Sequence, residues 1–146
     1  MKWKVAWIGK TKEPAIQKLS DDYLQRISGY AGIEGVALKD EAALLKLCSR
    51  DARPRYSLVL LDSHGKQLSS EELAQFISDY QDRNPQPLLF AVGPADGFSE
   101  PVRSAAHFVL SLGKMTLAHE LARVVLLEQL YRAFTILKRH PYHLGH

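Results

Sequence analysis

The chain has 146 residues, of which 46% are hydrophobic and 24% charged, and its formal net charge is +3. This length supports one domain with a sizeable core, and the composition is ordinary for a soluble globular protein. The single cysteine, Cys48, excludes an internal disulfide, and its helical context favours a buried thiol. Because neither CxxC nor HExxH occurs, no metal site is predicted. With no signal peptide and no apolar run of membrane-spanning length, we expect a soluble, cytoplasmic protein.

Charge is distributed unevenly along the chain. Residues 1–100 carry 13 Lys and Arg against 14 Asp and Glu, a net −1, whereas residues 101–146 carry 6 against 2, a net +4. Five of the six histidines also lie in this last part. A basic C-terminal third is typical of a protein with a polyanionic partner, although an ordinary solvated surface explains it equally well.

Short apolar runs alternate with amphipathic stretches along the chain. The runs predict strands at 5–9, 33–38, 57–62, 88–92 and 108–110. The amphipathic stretches predict helices at 14–29, 41–48, 69–80 and 118–138, with a short helix beginning at 99–101. Strands that alternate with helices indicate an α/β fold with a mostly parallel sheet, and one domain spanning residues 1–146.

Polar or glycine-containing segments follow three of the predicted strands. They are 62–66 (DSHGK), 93–99 (GPADGFS) and 111–116 (SLGKMT). Because the carboxyl ends of parallel strands meet at one edge of a sheet, these segments are expected to form one ligand site.

The last predicted helix is apolar on most of its circumference. Its polar residues form one narrow stripe, consisting of Glu128, Arg132, Thr135 and Arg139. Such a helix needs partners on two sides, which we expect to be the sheet and a second subunit; the alternative is a helix wholly buried within one chain. His119 and Arg123 lie opposite the stripe. An arginine there requires either an ion pair or a ligand anion.

Four segments together resemble a known family. They are 93–99, 111–116 with His119, 123–133 (RVVLLEQLYRA) and 140–143 (HPYH). In this order and spacing they resemble the SPOUT methyltransferases of the RlmH type, which methylate N3 of a pseudouridine in 23S ribosomal RNA. The resemblance implies an α/β fold with a C-terminal trefoil knot, a homodimer, and S-adenosylmethionine held in the knot. Because a domain of this small size and weak charge is not expected to hold a long RNA alone, we predict that the substrate is a folded surface of the assembled ribosome, bound by a dimer.

The resemblance assigns roles to particular residues. The implied cofactor-binding residues are Leu61, Gly93, Leu112, Gly113, Lys114, Met115, Thr116 and Leu117. The candidate catalytic residues are His143 and Tyr142, which would handle the N3 proton, with His119 behind them and Arg123 contacting phosphate or orienting the base. Arg132 is a second candidate for phosphate contact.

One departure from the family leaves the function open to alternatives. Pro94 stands where the family usually has a second glycine, and proline removes an N–H from the loop. The first alternative is another SPOUT enzyme that acts on tRNA or small-subunit RNA. The second is a non-catalytic module that binds RNA or ribosomes and whose cofactor loop Pro94 has spoiled.

Overall fold

The computed structural model describes residues 2–94 and 96–144, in which strands and helices alternate. Residues 1, 95, 145 and 146 of the expected domain therefore lie outside the described residues. The elements are β1 (Trp3–Ile8), α1 (Pro14–Ile27), β2 (Ile33–Leu38), α2 (Glu41–Leu47), β3 (Ser57–Gln67), α3 (Ser70–Arg83), β4 (Leu88–Val92), α4 (Glu100–Ala105), β5 (Phe108–Ser111) and α5 (His119–Leu137). The predicted order of elements is confirmed.

The strands form one sheet in the order β2-β1-β4-β3-β5, and each neighbouring pair is parallel. The expected α/β fold is therefore confirmed. Alternation of side chains along the strands produces two cores, because successive residues point to opposite faces. Leu88, Phe90 and Val92 of β4 pack with residues of α1, α3 and α5, whereas Leu89 and Ala91 pack with residues of α2 and α4.

Strand β3 is longer than its sequence predicts. Residues 62–66 were expected to form a polar loop, but the strand continues to Gln67, and Lys66 and Gln67 pair with β5 after a shift of register. This pairing requires glycine at position 65, since an added Cβ would lie 2.7 Å from the Val109 carbonyl oxygen. Tertiary pairing therefore overrides the local preference for a loop. The trefoil knot implied by the resemblance stays a prediction.

Helix α5 packs against α1, α3 and β4. One member of its predicted polar stripe is placed differently: Thr135 is fully buried, and its hydroxyl donates to the Arg132 carbonyl, which satisfies it locally. Leu121 and Val125 remain 53% and 37% exposed, so the alternative of a helix wholly buried in its own chain is wrong. The exposed residues form an apolar face on the first half of α5.

The predicted N-terminus of α3 is confirmed as a capping box. The Ser69 hydroxyl accepts from the Glu72 N–H at 3.0 Å, and the Glu72 carboxylate accepts from the Ser69 N–H at 2.8 Å. This reciprocal pair satisfies two main-chain donors that the helix itself cannot. It also fixes where the chain leaves β3, and so places Glu71 at the start of α3.

Cys48 is partly buried, and burial raises the pKa of its thiol to about 11, while Arg55 opposes the shift. The thiol is therefore protonated and unreactive near neutral pH. Within the described part of the chain, no helix is long and apolar enough to cross a membrane.

Candidate active site

A cleft lies at the carboxyl ends of β4, β3 and β5, which are neighbours in the sheet. Its volume is about 280 Å³, close to the lower end of the range for small-molecule sites, about 300–1,000 Å³. The walls come from residues 61–64 of β3, from the loops that follow β4 and β5, and from the start of α5. The topology therefore brings together the three segments that the sequence indicated.

The loop after β4 is shaped by a close contact between Gly93 and Phe98. A Cβ at position 93 would lie 2.7 Å from the Phe98 ring, which is itself buried. Gly97 adopts a φ of 85°, a left-handed conformation that favours glycine, and its N–H donates to the Pro94 carbonyl at 2.9 Å. Pro94 is therefore accommodated in a tight turn whose residues 93, 94, 96 and 97 line the cleft.

Arg103 of α4 links the polar half of β3 to the loop after β4. Its guanidinium forms an ion pair with Asp62 and donates to the Phe98 carbonyl at 3.2 Å. Burial raises the pKa of Asp62, but the His64 N–H and the Arg103 guanidinium together lower it by a larger amount, so the net shift of the pKa is downward. Asp62 is therefore a carboxylate near neutral pH, at the edge of the cleft.

Ser111, at the end of β5, braces the third wall of the cleft. Its buried hydroxyl accepts from the Gly113 N–H at 3.1 Å and lies within hydrogen-bonding distance of the Ser63 and Gly113 carbonyl oxygens. Because Gly113 has a φ of 140°, glycine is favoured there. One side chain thus links the loop after β5 to the extension of β3.

Most of the residues predicted to bind the cofactor line this cleft. They are Leu61, Gly93, Leu112, Gly113, Met115, Thr116 and Leu117. Lys114 belongs to the same loop but does not line the cleft, and its side chain is exposed. The cofactor roles of these residues stay predictions, although the geometry places seven of the eight around one space.

The four candidate catalytic residues are not brought together within one chain. His119 lines the cleft, and Arg123 lies one turn further along α5, buried to 1% exposure. The Arg123 guanidinium lies 3.9 Å from the centre of the Trp7 ring and donates to the Thr11 hydroxyl at 2.6 Å. Burial lowers its pKa, opposed by Glu120. Among the described residues the guanidinium forms no ion pair, and stacking on Trp7 and one hydroxyl acceptor stand in its place. A ligand anion at Arg123 stays a prediction.

Tyr142 and His143 lie near the other end of α5. The Tyr142 hydroxyl donates to Glu128 at 2.7 Å, and His143 lies 3.0 Å from Arg132 and 3.1 Å from Glu71. A helix rises about 1.5 Å per residue, so this group of residues is roughly 14–20 Å along α5 from His119. We call Glu71, Glu128, Arg132, Tyr142 and His143 the tail cluster.

Sequence reasoning missed Arg103, and it gave no individual role to Asp62, Phe98 and Ser111, which lie in the three predicted segments. The polar end of β3 was noted, but nothing in the sequence pairs it with an arginine 41 residues later. Among residues 2–94 and 96–144, no group of three or more His, Cys, Asp or Glu side chains is arranged to hold a metal ion.

Together, the parallel sheet and the glycine-shaped cleft define an α/β protein whose cleft lies at the carboxyl edge of the sheet, where proteins of this class bind small ligands. A family model described as "Predicted SPOUT methyltransferase" matches residues 1–143. The chain belongs to the SPOUT methyltransferase family, and the resemblance stated from its motifs is confirmed.

Individual relatives agree over the full length. A protein of Koribacter versatilis named "Ribosomal RNA large subunit methyltransferase H" is 57% identical over the whole of both chains. A protein of the same name from Geotalea daltonii is 42% identical over 98% of this chain and 99% of its own.

Solved structures of low sequence identity share the fold. The SpoU methyltransferase AviRb from Streptomyces viridochromogenes, in complex with the cofactor AdoMet, has a TM-score of 0.53 and 14% identity; the match covers 90% of this chain and 57% of AviRb, a little over half of it. A probable methylase family protein from Haemophilus influenzae has a TM-score of 0.60 and 10% identity, covering 95% and 69%.

Proposed function

We propose that this protein transfers a methyl group from S-adenosylmethionine to N3 of a pseudouridine in 23S ribosomal RNA, on the assembled ribosome. The observation that carries the proposal is the 57% identity, over the full length of both chains, with a ribosomal RNA large subunit methyltransferase H. The cleft supports it, because its site lies at the edge of the sheet where α/β proteins bind nucleotide-like ligands. The proposal places the protein in the cytoplasm with the ribosomes.

The lining of the cleft suits S-adenosylmethionine chemically. Leu61, Leu112 and Leu117 provide apolar surface for a purine ring, and the loops provide main-chain groups for its polar edge. Asp62 and Asp96 also line the cleft, and carboxylates complement the sulfonium and ammonium charges of the cofactor. When bound, the cofactor would supply a methyl group already activated for attack by nitrogen.

The remaining chemical task falls to the protein's own side chains. The base must be oriented so that N3 faces the methyl carbon, and its N–H proton must be removed. We assign proton removal to His143, because the imidazole is the better base near neutral pH. Burial and the hydrogen bond to Glu128 raise the pKa of the Tyr142 hydroxyl, so Tyr142 serves as a neutral donor and aromatic surface.

This assignment requires a homodimer, because His143 lies at the far end of α5 from the cleft of its own chain. We propose that the tail of one chain completes the cleft of its partner. The apolar face formed by Leu121 and Val125, continued by Leu117 and the 84% exposed Met115, supports a second copy beside the cleft.

The test of substrate is mass spectrometry of 23S RNA from cells with and without the protein. We expect loss of one methyl group on a pseudouridine, and its return when purified protein and S-adenosylmethionine are added to ribosomes. Naked 23S RNA and tRNA are the comparison substrates. Equal methylation of tRNA would support another SPOUT activity instead, and no cofactor binding by calorimetry would support the non-catalytic module.

The shared site has its own test, which mixes two inactive variants. Gly93→Val should lack cofactor binding, and His143→Gln should lack the base. Random exchange of subunits gives half heterodimers with one intact site each, so activity should return to about a quarter of wild type. Absence of any recovery, with heterodimers confirmed by native mass spectrometry, would contradict a site built from two chains.

A further inference from the structure

The C-terminal tail folds back along its own helix. After α5 ends at Leu137, Arg139 adopts a φ of 57°, and the His140 N–H donates to the Thr135 carbonyl at 2.9 Å. These features reverse the chain direction, as in common helix C-terminal motifs. The Tyr142 ring then lies 4.7 Å from the Tyr131 ring, edge to face. Residues 139–143 therefore follow a defined path beside α5.

Arg132 is the centre of the tail cluster. Its Nη2 donates to Glu128 at 2.6 Å, its Nη1 lies 3.0 Å from His143 Nδ1, and its guanidinium lies 4.9 Å from the centre of the Tyr142 ring. The side chain is only 16% exposed, and the carboxylate of Glu128 neutralises its charge. These contacts use three of the five N–H groups of the guanidinium, and its sequence-based role in phosphate contact stays a prediction.

The contacts of His143 select one tautomer of its imidazole. A guanidinium has only donors, so Nδ1, which faces Arg132, must be the unprotonated acceptor. Nε2 lies 3.1 Å from the Glu71 carboxylate, an acceptor, and must carry the proton. Hydrogen bonds from its own main chain and from His143 lower the pKa of Glu71, so this carboxylate is ionised near neutral pH.

We propose that Arg132 and Glu71 are positioning residues that deliver His143 to the reaction as its Nε2–H tautomer, with Nδ1 as the atom that accepts the proton. The proposal rests on the proposed function. The N3 electron pair forms the bond to the methyl carbon, the carbon–sulfur pair stays on sulfur, and the N3 proton passes to Nδ1. Arg132 yields its contact with Nδ1 to the incoming N3–H.

Glu71 acts through His143 and not on the substrate. A carboxylate bonded to the far nitrogen of an imidazole fixes the tautomer and stabilises the imidazolium that forms. Glu128 acts through Arg132, because it holds the guanidinium between itself and the imidazole. The three charged residues thus control which nitrogen of one histidine is basic and where it points.

The first test measures the tautomer directly and does not require activity. In protein labelled with ¹⁵N-histidine, the His143 signals are assigned by their absence in His143→Gln. We expect Nδ1 to be unprotonated and Nε2 protonated in wild type, and both Arg132→Lys and Glu71→Ala to give a mixture of tautomers. The proposal would be overturned if wild type showed the Nδ1–H tautomer, or if the tautomer ratio of His143 were the same as wild type in both variants.

The second test separates positioning from a structural role by kinetics on ribosomes. Misplacing a reacting group by about 1 Å can cost about 100-fold, so we expect Arg132→Lys to lower kcat by about 100-fold, and Glu71→Ala by about 10-fold. Cofactor affinity should be unchanged, because neither residue lines the cleft. Arg83→Lys, an exposed arginine at the end of α3, is the matched control and should match wild type.

The outcomes distinguish this inference from the function beneath it. If wild type fails to methylate ribosomes, the proposed function fails, while the tautomer measurement still decides the role of Arg132. If wild type is active and Arg132→Lys keeps full kcat, the inference alone fails. A parallel fall in kcat, cofactor affinity and melting temperature would mean a structural role and would also overturn it. If Arg132→Lys does not fold, Glu71→Ala provides the same comparison of kcat, cofactor affinity and melting temperature. The Glu71 side chain is 65% exposed, so its removal should leave the fold intact.

Discussion

The two ends of α5 lie beside two candidate functional regions, the cleft and the tail cluster, which are built from different kinds of groups. At the N-terminal end, the cleft is lined by residues of three neighbouring segments, both apolar and polar, whose positions depend on Gly93, Ser111 and Arg103. At the C-terminal end, the tail cluster consists of charged and aromatic side chains bonded to one another. The first arrangement suits binding of a ligand by shape, whereas the second suits control of a proton.

This difference implies that binding and turnover can be separated by mutation. A change in the cleft acts through shape, so it should alter cofactor affinity first. A change in the tail cluster acts through a functional group, so it should alter turnover and leave affinity intact. The following predictions test that separation.

The largest effect is expected for His143→Gln. Loss of a positioned base typically costs 100- to 10,000-fold, so kcat on ribosomes should fall by at least about 100-fold, with unchanged cofactor affinity by calorimetry. His107→Gln, which changes an exposed histidine stacked edge-on against Tyr80, is the control and should leave both quantities unchanged. A loss of cofactor binding in His143→Gln would show that the two ends of α5 are not separable.

Gly93→Ala should have the opposite profile. The new Cβ would lie 2.7 Å from the buried Phe98 ring, and overpacking of this kind costs about 1–3 kcal/mol of stability or forces the loop to shift. Because this loop lines the cleft, we expect the shift to weaken cofactor binding by about 10-fold, equivalent to about 1.4 kcal/mol. Calorimetry with S-adenosylmethionine measures it. The double variant Gly93→Ala/Phe98→Leu relieves the contact and should recover much of the affinity. Gly29→Ala, whose added Cβ would meet its nearest atom at 3.6 Å, is the control.

Leu121→Arg should weaken the proposed dimer, in which the tail of one chain completes the cleft of the other. Burying an unpaired charge in an interface costs several kcal/mol, so we expect the dissociation constant of the dimer to rise by more than about 10-fold and the activity to fall with it. Sedimentation measures the assembly. Leu19→Arg places the same charge on α1, at a comparably exposed leucine, and should leave the assembly intact. A Leu121→Arg variant that sediments like wild type would remove this face from the dimer.

The smallest effect is expected for Asp62→Asn, which weakens the Arg103 tie without altering the shape of the cleft. The pKa of Asp62 is lowered in the folded protein, so its ionised form contributes stability above the unfolded pKa of about 4. That contribution is lost as the pH falls through the lower, folded pKa. We expect the variant to be less stable by about 1 kcal/mol at pH 7.

Urea unfolding of wild type and Asp62→Asn at pH 7 and at pH 3.5 measures this difference, which should narrow at the lower pH. Asp51→Asn, at an exposed carboxylate, is the control and should change stability by less than about 0.5 kcal/mol at either pH. If the free energies of unfolding of wild type and Asp62→Asn differed equally at both pH values, the Asp62–Arg103 ion pair would not be the source of the stability.

Local patterns were sufficient for much of the fold. Strands β2 and β4 have the bounds that their apolar runs predict, and the capping box at Ser69 begins α3 as expected. The extension of β3 could not be predicted, because its polar residues become a strand only by pairing with β5. Similarly, Arg123 required a partner by elementary electrostatics, but Trp7 and Thr11 are more than 110 residues away.

The amino-acid sequence by itself determined the alternation of strands and helices, the parallel sheet, and the three segments that line the cleft. These depend on periodicity and on glycine positions, which are local properties of the chain. Only the tertiary structure decided the strand order, the Arg103 tie, and the separation of His119 from His143 along α5. Those features depend on contacts between distant residues, and no local pattern encodes which arginine meets which carboxylate.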